Sequence, residues 1–181
     1  LMLFDFLPDD PPGESLTDIE ATGRGLAQLH IAAQDSAGPE SRYVLDLPEL
    51  LDTSLQRMLA APTVDNALAQ EFSALARDLH ERFATLPGLT RVHCHGDCHG
   101  SNNFMTDGRD GGRVAAFFDF DDAGPGLLAY ELSVYLWVLL PRSLETPASA
   151  AVLERWRRYL AGYTSVCAVP QEDMAAIAPC L

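Results

Sequence analysis

His95-Gly96-Asp97-Cys98-His99-Gly100-Ser101-Asn102 lies directly behind a short alternating run, Arg91 to His95, in which Val92 and Cys94 share one face. Such alternation predicts a half-buried strand, and the polar, glycine-bearing segment after it predicts a tight loop. Two further strand-like pieces follow, Asn103 to Thr106 and Val114 to Phe120. Asp107-Gly108-Arg109-Asp110-Gly111-Gly112 joins them as a glycine-rich hairpin turn. The second piece closes on Asp119, so the hairpin returns a carboxylate toward the loop that precedes it.

Two chemistries compete for this segment. The first is a zinc site, because His93, Cys94, His95, Cys98 and His99 crowd together and Cys-x-x-x-Cys is an acceptable ligand spacing. A closed site usually draws on two separated clusters, however, and Cys167 and Cys180 are isolated. The second is phosphoryl transfer. That reaction needs a carboxylate to take up the acceptor hydroxyl's proton, and an amide plus a carboxylate to hold Mg²⁺ against nucleotide phosphates. Asp97, Asn102 and Asp119 fit those three roles in that order.

Outward from the loop the chain reads as helical. Thr17-x-x-Glu20 offers a capping box, and Ile19, Leu26, Leu29 and Ala33 continue a helix over residues 18–33. A weaker helical stretch runs from Leu47 to Leu59. Thr63 is placed to cap a third helix with the stripe Val64, Leu68, Phe72, Leu75, Leu79 and Phe83, ended by Pro87-Gly88. After the hairpin come an all-round apolar helix, Leu127 to Leu140, and an amphipathic one carrying Val152, Leu153, Trp156, Leu160 and Tyr163. A last helical segment begins at Gln171. Tyr135, Trp137, Phe118 and Phe120 read as core, His30 and His80 as structural, and His93 as a strand residue facing solvent. Leu1 to Leu7 reads as one strand closed by a proline-rich turn. The class is therefore α+β, mainly helical, with a small β hairpin at the site.

Composition narrows the function. Twelve basic residues stand against 26 acidic ones in 181, for a formal net charge of −14, and all twelve are arginine. This argues against a nucleic-acid-backbone grip and a polybasic membrane-surface module. Lysine-dependent chemistry is excluded for this chain alone. The longest apolar run, Gly126 to Leu140, is short against the roughly 20 residues of a membrane span and carries Glu131, so it predicts a core helix. Four scattered cysteines do not make a disulfide scaffold, and the N-terminus lacks a basic signal-peptide region. A reduced, cytoplasmic setting is expected, with oligomeric state open.

His95-Gly96-Asp97-x-His99-x-x-Asn102, followed by Phe118-Asp119-Phe120-Asp121-Asp122-Ala123, resembles the aminoglycoside phosphotransferase and choline kinase family, which shares the protein-kinase-like fold. Gly124-Pro125-Gly126, Ala129-Tyr130-Glu131-Leu132 and Leu26-Ala27-Gln28-Leu29-His30 are similar to the helices around that family's site. The Cys98 variant and the Asp-Phe-Asp-Asp-Ala run look nearest to its bacterial stress-response kinase A and related phosphotransferases. The resemblance covers about residues 1–170. It implies a large, C-terminal kinase lobe at 15–181, with 1–14 as the last small-lobe strand and hinge. It implies ATP and Mg²⁺ as cofactors, Asp97 as catalytic base, Asn102 and Asp119 as metal ligands, His95 as a brace and His99 near the transferred phosphate. The hinge at Phe4, Asp5 and Phe6 would edge the adenine. The partners implied are a nucleotide and a hydroxyl-bearing small molecule; the alternatives are a Ser/Thr protein kinase or a non-catalytic remnant.

Three features depart from the family pattern. Its small-lobe phosphate cover and phosphate-pairing lysine have no counterpart, the chain ends where the family continues in helices, and Glu131 replaces an aspartate. Phosphoryl transfer depends on positioning and charge neutralisation. The 181 residues alone are therefore expected to bind ATP at roughly millimolar Kd or weaker. Calorimetry showing micromolar affinity would contradict this.

Overall fold

The structure, a computed structural model, describes residues 15–34, 44–109, 111–140 and 147–181. The expected strand at Leu1 to Leu7, with the hinge residues Phe4, Asp5 and Phe6, lies outside the described residues. What is described is mainly helical with two small antiparallel sheets, as expected.

Helix α1, Leu16–Ala33, starts two residues earlier than the capping box implies. Ser15 is the cap, its hydroxyl accepting from the Asp18 N–H at 3.1 Å, which leaves Thr17 inside the first turn. A π-helical turn, Pro48–Thr53, leads into α2, Ser54–Leu59. Helix α3, Asn66–Ala84, is capped by Asp65 rather than Thr63; its carboxylate accepts from the Leu68 N–H at 2.9 Å. The α3 stripe is also not a core stripe throughout. Only Ala76 and Phe83 are buried, and Leu75 is 56% exposed. Helical periodicity reports that a face is apolar; whether an element lies against it is settled by tertiary placement.

Strand β1, Arg91–Cys94, does not pair with the hairpin. It pairs with β4, Gly124–Leu127, in the register Arg91 opposite Leu127 and Cys94 opposite Gly124. Nothing in the sequence signals a strand there, because two glycines and a proline make an unlikely ladder. Pro125 and Gly126 serve because this is a two-stranded ribbon whose far side, among the described residues, takes only the bridge from Leu45. The predicted hairpin is present as β2, Asn103–Asp107, and β3, Arg113–Phe117, with Asn103 opposite Phe117. Strand β3 stops before Phe118 because Asp119 turns the chain with φ 62°.

Two-stranded sheets are marginal by themselves, and these are held by helices. Met105 and Ala115 from the hairpin bury against Ala21 of α1. Asn103 Nδ2 donates to Thr22 Oγ1 at 3.3 Å, and Arg113 pairs with Asp18 at 3.1 Å. Helix α4, Leu128–Leu139, runs through the main core, where Leu128, Ala129 and Leu132 are buried with Leu26 and Ala27. Its aromatics divide: Tyr135 is buried and stacks on Tyr159 at 4.0 Å, whereas Trp137, expected in the core, is 51% exposed at the helix end. Helix α5, Ala150–Thr164, buries Tyr159 and Tyr163 but leaves Leu153 largely exposed. Helix α6, Gln171–Ala176, and a 3₁₀ turn, Ala178–Cys180, end the chain.

The α1–α5 crossing is unusually close because both helices present glycine there. A Cβ on Gly23 would overlap the Tyr159 carbonyl oxygen, and one on Gly162 the Glu20 carbonyl oxygen. Backbone on both sides leaves no side chain that could give way. Gly162→Ala should therefore lower unfolding free energy by about 1–3 kcal/mol through overpacking. Gly100→Ala, where nothing lies within 4 Å of the added carbon, should change it by no more than about 0.5 kcal/mol. Chemical denaturation of both variants measures the contrast.

Candidate active site

Strand β1 delivers the chain to the His95–Asn102 loop, and a buried carboxylate stands at each end of that strand. At the start, Asp173 on α6 accepts from the Thr90 N–H at 3.0 Å and from its hydroxyl at 2.6 Å. At the end, Glu131 on α4 accepts from the His95 N–H through Oε1 and from the Gly96 N–H through Oε2, both at 3.0 Å. Both carboxylates are fully buried. This is why β1 stops at Cys94, one residue short of the sequence expectation: the next two amides are spent on Glu131 and not on a strand partner.

Gly96 is enclosed on three sides. Besides its N–H to Glu131, its carbonyl accepts from the Tyr130 hydroxyl at 3.3 Å. Its φ is +89°, and a Cβ there would overlap the Asp122 carbonyl oxygen. Only glycine tolerates both conditions. Burial, helped by the neighbouring Glu131 charge, pushes the Tyr130 phenol up to about 12, so it stays a donor across neutral pH.

His95 joins the two halves of the site. Its ring is fully buried, with Nε2 2.8 Å from the Phe118 carbonyl oxygen and Nδ1 3.4 Å from the Asp97 N–H. A carbonyl only accepts, so Nε2 carries the proton and donates. The loop bearing Asp97 is thereby tied to the residue just before Asp119. Phe118 in turn stacks on Phe104 at 4.6 Å and its N–H donates to the Asn102 carbonyl at 3.1 Å. Phe120, expected in the core, leans on the His95 ring at 4.5 Å but is 45% exposed.

Within the loop three of the expected residues converge. Asn102 Nδ2 donates to Asp97 Oδ2 at 2.8 Å and to the Asp97 carbonyl at 2.9 Å. His99 Nε2 lies 3.3 Å from Asp97 Oδ1, while its Nδ1 accepts from the Ser101 N–H at 3.1 Å. Each carboxylate oxygen of Asp97 thus has one side-chain donor, yet the side chain remains 45% exposed and reachable from solvent. Asp119 is exposed, and its left-handed φ is uncommon for a non-glycine residue. Strain of that kind clusters at functional sites.

The donor set suits a hard divalent cation shared with phosphate oxygens. Asn102 spends its amide hydrogens on Asp97, which leaves its carbonyl oxygen as the end for a cation. Asp119 offers a carboxylate on the turn after β3, next to Phe118, which is tied to this loop. Among the described residues no three His, Cys, Asp or Glu side chains form a metal-holding group. Mg²⁺ ordinarily takes one or two protein carboxylates and completes its shell from phosphates and water.

The zinc reading fails on the same geometry. Cys94 and Cys98 point into the core, 3% and 0% exposed. Burial, with the Glu131 charge added, holds both thiols well above the ordinary range. Thiolate is the form that binds zinc and reacts with electrophiles. At about pH 8, below those raised values, both thiols should resist alkylation in the folded chain and react after denaturation. Peptide mapping checks this; rapid native labelling of Cys94 or Cys98 would contradict the placement.

Among the features the sequence does not single out, Asp173 matters most, and Tyr130 is read there only as part of the Ala129–Leu132 match. Their roles come from where α6 and α4 start.

The sequence matches the phosphotransferase enzyme family over residues 2–169. A protein of Deinococcus radiodurans, described only as uncharacterized, is 33% identical over 97% of this chain and 49% of its own length. The chain thus spans about half the length of that relative. An amicoumacin kinase, solved with AMP-PNP, Ca²⁺ and amicoumacin, matches with a TM-score of 0.67 at 19% identity, over 97% of this chain and 52% of that one. A microcompartment-associated aminopropanol kinase matches with a TM-score of 0.64 at 22% identity, over 92% and 50%. No described helix is long and apolar enough to cross a membrane. With the His95–Asn102 loop, the Asp119 turn and the match over most of its length, the chain belongs to the phosphotransferase enzyme family and has a kinase-like fold.

Proposed function

We propose that this chain carries the catalytic loop of an ATP- and Mg²⁺-dependent phosphotransferase acting on the hydroxyl group of a small molecule. The observation that carries the proposal is the Asp97 carboxylate: exposed, oriented by Asn102 and His99, and set on a loop locked through His95 to Phe118, the residue before Asp119. A general base must reach the proton it takes while its own orientation is fixed. Asp97 meets both conditions.

In this reading Asp97 accepts the proton of the acceptor hydroxyl as that oxygen attacks the terminal phosphorus of ATP, whose bond to the bridging oxygen breaks so that ADP leaves. His99 donates to Asp97 and, as the family resemblance implies, would lie near the transferred phosphate. Asn102 and Asp119 would hold Mg²⁺, which when bound neutralises charge on the phosphate oxygens. His95 touches neither reactant; it sets the distance between the two halves of the site. Phe4, Asp5 and Phe6 remain proposed as the adenine edge, with 1–14 as hinge and 15–181 as the large lobe of the enzyme.

An aminoglycoside- or choline-like acceptor is favoured over a protein. The solved neighbours act on amicoumacin and aminopropanol, and a net charge of −14 favours approach of a cationic acceptor. A cytoplasmic enzyme would find ATP and Mg²⁺ together.

Asp97→Asn in the full-length gene product tests the assignment. The variant keeps the size and the Asn102 contact but cannot take the proton. Acceptor-dependent ADP release should fall by about 10²–10⁴-fold, with the KM for ATP little changed. A screen across aminosugars and amino alcohols, with protein substrates as the comparison, supplies the acceptor. Unchanged turnover would reject Asp97 as the base.

A further inference from the structure

Asn103 opens β2 on the face that meets α1 and is 1% exposed. Its Nδ2 donates to Thr22 Oγ1 at 3.3 Å, and Thr22 Oγ1 itself donates to the Asp18 carbonyl at 3.0 Å. A hydroxyl has one proton. With that proton committed to Asp18, Thr22 can only accept, so the amide turns its nitrogen toward α1. Its Oδ1 is then left without a hydrogen-bond partner among the described residues. A buried acceptor left unmet is destabilising, whereas an apolar side chain of the same size leaves nothing unmet. Stability therefore does not account for an amide at position 103.

Its place on the hairpin does. The hairpin lies along α1 through three contacts. At its turn end Arg113 pairs with Asp18 at 3.1 Å, in the middle Met105 and Ala115 bury against Ala21, and at its open end Asn103 reaches Thr22. Apolar contact is non-directional, so the middle alone would let the hairpin slide or tilt on the helix. The polar contacts at the two ends fix it. The open end is the one that matters chemically: Asn102 precedes β2 there, and Phe118, whose N–H donates to the Asn102 carbonyl at 3.1 Å, leads into Asp119. Asn103 stands opposite Phe117 in the ladder. One contact with α1 thus sets both strands at that end.

We propose that Asn103 is a positioning residue: its amide, held by Thr22, seats the open end of the hairpin on α1 and thereby sets the spacing of Asn102 and Asp119. The inference rests on reading those two residues as the cation-holding pair, but its test uses no metal, nucleotide or turnover. Failure of Asp97→Asn to reduce activity would remove the function and leave the outcomes below unaffected.

The experiment uses the full-length gene product labelled with ¹⁵N-phenylalanine, with denaturation midpoints and amide hydrogen exchange read on each variant. Asn103→Leu and Thr22→Val each strand one buried polar group and should lower the midpoint. Their combination removes both groups and should recover it. The open end should not recover: in the double variant the Phe118 amide should still exchange about tenfold faster than in the unsubstituted protein, and the Phe104 amide less than about threefold faster. Thr22→Ser keeps the hydroxyl and should keep slow Phe118 exchange. A double variant that regains both stability and slow Phe118 exchange would show a structural role only and overturn the proposal; one that stays destabilised would overturn its premise. Should the double variant not fold, Thr22→Val against Thr22→Ser carries the test, and equal Phe118 exchange in the two would overturn it.

Discussion

The Glu131 carboxylate is the contact on which the rest of the site depends. A fully buried carboxylate is tolerated only when its oxygens are well hydrogen-bonded, and here the two amides that satisfy it belong to consecutive residues of the functional loop. The constraint runs both ways. Glu131 needs the loop to remain buried without penalty, and the loop needs Glu131 because His95 and Gly96 have left the β ladder. Hydrogen bonds to charged groups contribute about 1.5–3 kcal/mol each, so the pair is comparable with a sizeable part of the stability of a small domain. The replacement of the family's aspartate by glutamate does not remove this anchor; the longer side chain reaches both amides.

From that anchor the positions of the chemical groups follow in order. Gly96 passes close to Asp122 because it has no side chain. His95 is then buried beneath the turn and links to Phe118. Asp97 comes out toward solvent on the next residue, where Asn102 and His99 orient its oxygens. Asp119 follows Phe118 in a left-handed conformation that breaks β3 and turns the chain there. No single element contains the site. It exists where a strand end, a hairpin end and a helix start are joined by side chains rather than by a continuous sheet.

The helices explain why so small an amount of β structure is stable. Four- and five-residue strands in two-stranded ribbons bury little surface alone. Here α1 covers the hairpin through Ala21 and Thr22, while its glycine-lined side lets α5 approach to backbone contact. That approach brings Tyr159 and Tyr163 under the loop, and α6 adds Asp173 at the start of β1. Packing between helices distant in sequence thus sets the location of a loop of eight residues.

Much of this was legible in the sequence. The spacing of Asp97, Asn102 and Asp119, the glycine-rich turn between β2 and β3, the burial of Cys94 and the apolar character of α4 are local properties, and local physics was enough to read them. Other features were beyond local reading. Gly124–Leu127 pairs as a strand although its residues disfavour one, because β1 needed a partner. Leu75 and Trp137 are exposed although their helices are apolar at those positions, because which part of an apolar face is covered is set by tertiary placement and not by periodicity. Ser15 and Asp65 cap where Thr17 and Thr63 were expected, since the backbone entry angle selects the capping oxygen. The sequence by itself determined which groups the site contains. The tertiary structure alone decided that Glu131 and Asp173 hold that loop and the strand before it, because their contacts join residues far apart in the chain whose proximity exists only once α1, α4, α5 and α6 have packed.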